Sequence, residues 1–188
     1  GAGRPKEQIE RVLLSSHDLI HNDPASMISL AWCLGKIGRH DRAIELYRQA
    51  GALDPSHAES FVLALELAAR TKNYEAVVWS APEVLAFSRG KGREGRGRLA
   101  ESTATAAEAG LIAAGKQALA FQLRAAMDQA RRIDLSVKLE WNGQGDLDLE
   151  VVEPGGARCS TIRPMTSSGG VFLNDGYGPR QENCYEEY

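Results

Sequence analysis

Three stretches of the chain hold residues whose types and spacing could do chemistry. The first runs from Arg89 to Arg98 and reads Arg-Gly-Lys-Gly-Arg-Glu-Gly-Arg-Gly-Arg. Inside it, Gly90-x-Gly92-x-x-Gly95 has the glycine spacing of a dinucleotide fingerprint. That fingerprint works when a strand precedes the loop and a βαβ helix follows, so that backbone amides face a pyrophosphate. Helical periodicity precedes it here, which favours a solvated connector. The same loop gathers Arg89, Lys91, Arg93, Arg96 and Arg98, enough positive charge to draw phosphates or an acidic segment. No aromatic residue interleaves with these cations to stack a base. The second stretch alternates Asp146, Asp148 and Glu150, with Glu153 and Asp175 as possible neighbours. Their carboxylates could converge on calcium, although that ion takes about six or more oxygens and alternating acids are also what a half-exposed strand turns to water. The third set is Cys33, Cys159 and Cys184, none in a Cys-x-x-Cys pair. Cys159 and Cys184 could bridge in an exported protein if their Cα atoms lie within about 7 Å, and sequence leaves that open. Cys33, beside Trp32, suits buried helix packing. His17, His21, His40 and His57 fall on helix faces or capping turns, with no nucleophile elbow, His-Glu-x-x-His or P-loop nearby. The expectation is a protein without catalytic activity.

The elements that would position these residues show in the apolar periodicity. Pro24 opens a helix with Met27, Ile28, Ala31, Trp32 and Leu34 at helical spacing, closed by Gly38. A second helix from about Asp41 carries Ala43, Ile44, Leu46, Tyr47 and Ala50 and stops at Leu53-Asp54-Pro55. Two helices joined by so short a turn make an αα-hairpin. Residues 58–70 and 74–87 form a second hairpin, and the Ala-rich stretches 99–114 and 116–132 a third. Residues 89–98 are expected to be an exposed inter-repeat loop. Residues 5–20, with Ile9, Val12, Leu13, Leu19 and Ile20 apolar, read as the second helix of an earlier hairpin, so the array is expected to begin upstream.

After Arg132 the period changes to two. Leu135, Val137 and Leu139 alternate with polar residues, as do Leu147, Leu149 and Val151, on either side of Trp141-Asn-Gly-Gln-Gly145 turn chemistry. The two runs are expected to pair as a β-hairpin. Tyr185-Glu-Glu-Tyr188 also alternates like the start of a strand.

The string Leu30-Ala31-x-x-Leu34-x-x-x-Gly38, then Ala43-x-x-x-Tyr47-x-x-Ala50, then Asp54-Pro55 resembles the tetratricopeptide repeat (TPR) consensus over its period of about 34 residues. Small residues stand where paired helices cross, and Tyr47 fills the wedge between hairpins. The next copy is degenerate, keeping Tyr74 but placing Val77 and Ala81 at the small positions. The resemblance implies a mainly α solenoid over residues 1–132 whose concave groove, lined by the first helix of each hairpin, binds a segment of a protein or peptide partner. By position the lining would be Ile28, Trp32 and Lys36, then Glu59, Val62, Glu66 and Arg70. Trp32 could equally pack inside the solenoid. Ile28 and Trp32 stand where carboxylate-clamp members carry basic and amide residues, so capture of a C-terminal carboxylate is not expected. Residues 133–188, through Val137-x-Leu-x-Trp141, Asp146-x-Asp-Leu149 and Pro154-x-Gly156, resemble the opening of a bacterial β-sandwich domain of unassigned function, expected to be truncated here. That resemblance leaves an alternative: an exported ligand-binding protein whose β domain takes a cation, glycan or protein, with the repeats as stalk.

Composition bounds these readings. At 188 residues, 43% apolar and 25% charged, the chain can bury a core. A net charge of −3 disfavours a nucleic-acid surface over the whole protein. No run approaches the roughly 20 apolar residues of a membrane span, and Gly1-Ala2-Gly3-Arg4 lacks the apolar core of a signal peptide. No cofactor is implied beyond calcium, and compartment and oligomeric state stay open.

Overall fold

The computed structural model describes residues 8, 11, 12, 15, 22–56, 58–89, 94–142, 145–166, 168–176 and 184–188. Six helices fold among them in consecutive pairs: α1 (Pro24–Lys36) with α2 (His40–Leu53), α3 (Ala58–Thr71) with α4 (Tyr74–Phe87), and α5 (Glu94–Ala113) with α6 (Gln117–Arg131). Each pair also packs on the next, α2 on α3 and α4 on α5, while α1 touches α3 and α3 touches α5. This is a helical repeat-like stack. Of the expected earlier helix, Gln8, Arg11, Val12 and Ser15 are helical, and Val12 is exposed; Ile9, Leu13, Leu19 and Ile20 lie outside the described residues.

Local chemistry explains the boundaries. Asp23 caps α1, accepting from Ser26 N at 3.3 Å, with Pro24 in the first turn, where its missing N–H costs nothing. Asn73 caps α4 the same way through Ala76 N at 3.1 Å. Each hairpin turns by one device: the residue after a left-handed position returns a backbone bond to the preceding helix. Arg39 N donates to Leu34 O after Gly38 (φ 86°), Asn73 N to Ala68 O after Lys72 (φ 55°), and Lys116 N to Leu111 O after Gly115 (φ 74°). Lys72 follows Gly38 by one repeat period, so the turn geometry repeats even where its glycine does not.

The core follows from the same repeat. Ala31, Ala43, Ala50, Ala64, Ala68 and Ala81 are fully buried, as helices that cross closely require, and Tyr47 fills the wedge between hairpins with 3% of its surface exposed. The third hairpin departs from the pattern, because α6 packs on α4 as well as on α5. Gly110 lets α5 lie close on α4, since a Cβ there would run into the Tyr74 ring of α4.

Two expectations are corrected. Residues 94–98 belong to α5, so Arg96 and Arg98 stand on a helix; a first turn containing Gly95 and Gly97 reads as loop by propensity, and the packing of the rest of α5 extends it upstream. The β-hairpin between residues 135–139 and 147–151 does not form. β1 (Lys138–Trp141) pairs antiparallel with β4 (Cys184–Glu187), and β2 (Val151–Val152) pairs with β3 (Arg158–Cys159). Trp141 Nε1 donates to Gly145 O at 2.8 Å, and Leu149 N donates to the Glu186 carboxylate instead of to a strand. The C-terminal segment is therefore two small antiparallel sheets, and its Met165 and Val171 join the buried cluster of the helices.

Candidate functional site

The residues assigned to a groove divide by helical phase. Ile28 and Val62 are buried at 6% and 8% exposure, so they pack inside the stack and do not line a surface; that part of the expectation is corrected. Positions i, i+4 and i+8 drift around a helix, so residues at that spacing can differ in burial. Trp32, one turn on, is 50% exposed, which decides between core and surface for this residue. Lys36 lays its Nζ over the Trp32 ring, 4.9 Å from the centroid, a cation–π contact that holds the indole at the surface. Glu59, Glu66 and Arg70 are exposed on α3.

Tyr47 of α2 links these groups. Burial pushes its hydroxyl pKa up to about 12, and the charges of Glu59 and Glu66 push the same way, while Arg70 opposes. Cys33 of α1 also acts on it. The charges of Glu59, Glu66 and Arg70 on α3 thus act on a buried phenol of α2, while Trp32 and Lys36 form an exposed pair on α1. Such a surface is chemically suited to bind, with an apolar anchor and charges of both signs at its rim.

Of the cationic stretch, the structure describes Arg89, Arg96 and Arg98. Arg89 turns its guanidinium onto the end of α6, donating to Ala130 O and, at 2.6 Å, to Arg132 O. It thereby satisfies terminal carbonyls that the helix leaves unpaired. Arg96 and Arg98 are exposed on α5, and Lys91 and Arg93 lie outside the described residues.

Of the acidic residues, Asp148 and Asp175 both act on Glu186. Asp146, Asp148 and Asp175 are exposed, and Glu150 forms an ion pair with Arg158. Residues 146–150 lie outside any strand. Among the described residues, no group of three or more acidic, histidine or cysteine side chains is arranged to hold a metal ion. Glu186, in contrast, is 1% exposed; burial raises its pKa, the Leu149 amide opposes, and the charges of Asp175 and Asp148 add to the rise. Cys159 and Cys184 are buried in different sheets and are not disulfide-bonded to each other, so the bridge left open by the sequence is not formed. Burial and the Glu153 charge push the Cys159 thiol up to about 11, which leaves it an unreactive thiol at neutral pH.

Two arrangements escaped the sequence reading. Arg48 sits 5.3 Å from the centroid of Trp79, which meets Phe61 edge-on at 6.0 Å; these residues border a cavity of about 650 Å³ that Thr166, Ser168 and Gly169 also line. Glu153, 9% exposed, accepts at one oxygen from Thr166 Oγ1 at 2.6 Å and Tyr188 Oη at 2.8 Å. These hydrogen bonds hold its carboxyl below the usual range against the opposing effect of burial. Both join residues far apart in sequence, and no local pattern marks them. No family model, curated protein or solved structure matches the chain.

Proposed function

We propose that the chain is a non-catalytic interaction scaffold of the tetratricopeptide type that holds a segment of a protein partner against the face formed by α1 and α3. Trp32 carries the reading: half of a large indole is exposed, fixed by Lys36 rather than free, on the first helix of a repeated hairpin. A rigid aromatic anchor gives contact area at small entropic cost. Glu59, Glu66, Lys36 and Arg70 then set register through complementary charge on the partner.

The test uses the full chain as bait in native extract, beside Trp32→Ala and Trp32→Ala/Glu66→Ala variants. Partners that the unaltered chain retains should weaken by about 2 kcal/mol or roughly thirty-fold with the single variant, with circular dichroism unchanged. Retention of the same partners at the same strength by both variants moves the binding surface elsewhere on the molecule.

A further inference from the structure

The cavity of about 650 Å³ beside Trp79 has the volume of a small-molecule site and the mixed wall of one. Ala52 of α2, Pro82 and Ala86 of α4, and Ala126 and Ala130 of α6 supply its aliphatic surface. Phe61, Trp79 and Phe87 supply an aromatic one: Trp79 meets Phe61 edge-on, and the Phe61 and Phe87 centroids lie 5.6 Å apart. Trp79 is half-buried, so part of its indole stays open to a ligand. Aromatic surfaces of this kind take planar rings in offset or edge-on contact. None of the residues assigned to the α1 and α3 face lines this cavity.

The charged groups decide what a ring bound there should carry. Arg48, Arg89 and Arg132 line the cavity against Glu83 and Asp134, three positive side chains to two negative. Arg89 is engaged with the carbonyls of Ala130 and Arg132. Arg48 is not: its guanidinium lies over the Trp79 ring and makes no hydrogen bond or ion pair among the described residues. Stacking occupies a flat face of the guanidinium and leaves the N–H groups along its edge, the fork that matches a carboxylate. The Arg48 charge also reaches Glu75, but that carboxylate already accepts from Lys116 Nζ at 2.5 Å. The Arg132 guanidinium likewise has no partner among the described residues. Glu83, one turn beyond Trp79 on α4, is raised by burial with no hydrogen bond or opposite charge to offset it. It therefore opposes an incoming anion less than an ordinary surface carboxylate does.

We infer that this cavity binds a small planar aromatic carboxylate, with its ring against Phe61, Trp79 and Phe87 and its carboxylate on the free edge of Arg48. Trp79 serves twice, holding the guanidinium flat on one side and contacting the ligand ring through the part of the indole left open. The site is separate from the partner-binding face and does not depend on it.

The test follows the indole N–H signals of the isotope-labelled full chain during titration with naphthylacetate, its methyl ester and naphthylethylamine, with Trp79→Phe assigning the Trp79 signal. Naphthylacetate should saturate that signal and bind at least about ten-fold more tightly than the ester, which keeps the ring and loses the charge. Arg48→Gln should lower acetate affinity to about that of the ester and leave ester affinity within about two-fold. Tightest binding by the amine would assign the cavity to cations through Glu83 and overturn the proposal. Equal affinity for the three ligands, saturation that spares Trp79, or no saturation up to about 1 mM overturns it as well. These outcomes are read on the unaltered protein, so they hold whether or not Arg48→Gln folds; undiminished acetate binding by a folded Arg48→Gln protein also overturns it.

Discussion

Replacing Tyr47 by phenylalanine should remove a specific alkaline weakness of the fold. In the folded chain the Tyr47 hydroxyl keeps its proton to about 12, because burial first, and the Glu59 and Glu66 charges second, disfavour the phenolate. The unfolded chain releases that proton near 10. Between these values the unfolded state binds fewer protons than the folded one, so its free energy falls faster as pH rises and the fold loses stability. The contribution is fully present below pH 10 and disappears through pH 12. For a shift of about two units the loss is about 1.4 kcal/mol at pH 11 and a little over 2 kcal/mol at pH 12. Tyr188, also raised to about 12, is common to both proteins and cancels in the comparison. The assay is urea unfolding followed by circular dichroism at about pH 8 and about pH 11. The gap between unaltered protein and Tyr47→Phe should move by about 1.4 kcal/mol in the variant's favour at the higher value. A Glu59→Gln/Glu66→Gln protein should retain most of the effect, because burial is the larger cause. Parallel pH dependence of the two proteins would mean that the Tyr47 hydroxyl is not buried, and the packing around it would be wrong.

Lys72→Gly should stabilise the chain by about 0.5–1 kcal/mol, raising Tm by about 2–4 °C per kcal/mol, because glycine relieves the left-handed φ of 55° at an exposed turn; an unchanged or lower Tm contradicts the shared-turn account. Gly110→Ala should cost about 1–3 kcal/mol through collision with Tyr74, and Tyr74→Ala in the same chain should recover part of that loss, as a double-mutant cycle in urea would show. Arg89→Ala should destabilise by about 1.5–3 kcal/mol and speed amide exchange at the end of α6, since it deprives two carbonyls of charge-assisted donors; an arginine held free for anions would leave both unchanged.

The helices were readable because their signals are local. Pro24, Gly38, Tyr47 and Pro55 mark boundaries within a single turn of chain, and the run through Tyr74–Phe87 held its helical spacing despite Pro82. The first turn of α5 is not legible locally, since Gly95 and Gly97 lower propensity there, while the apolar face that secures the helix begins only at Leu99. The β segment was harder still. Alternation marked residues 135–139 as extended but could not name the partner, and β1 pairs with a strand more than forty residues distant, over the nearer candidate. At the candidate face, position in the repeat located Trp32, Lys36, Glu59, Glu66 and Arg70 on the surface. It could not separate them from Ile28 and Val62, because one helical turn carries both core and exposed positions. Tyr47, whose hydroxyl is raised chiefly by burial, reads from sequence as packing alone.

The most direct test of the interaction face places a photo-crosslinking benzoylphenylalanine at position 32, with position 121 as control, since Phe121 is 73% exposed on α6 but lies off that face. After irradiation in native extract, the account predicts a discrete protein adduct from position 32 that Glu66→Ala diminishes, and none of that mass from position 121. Identical adducts from both positions, or adducts from position 121 alone, would contradict it.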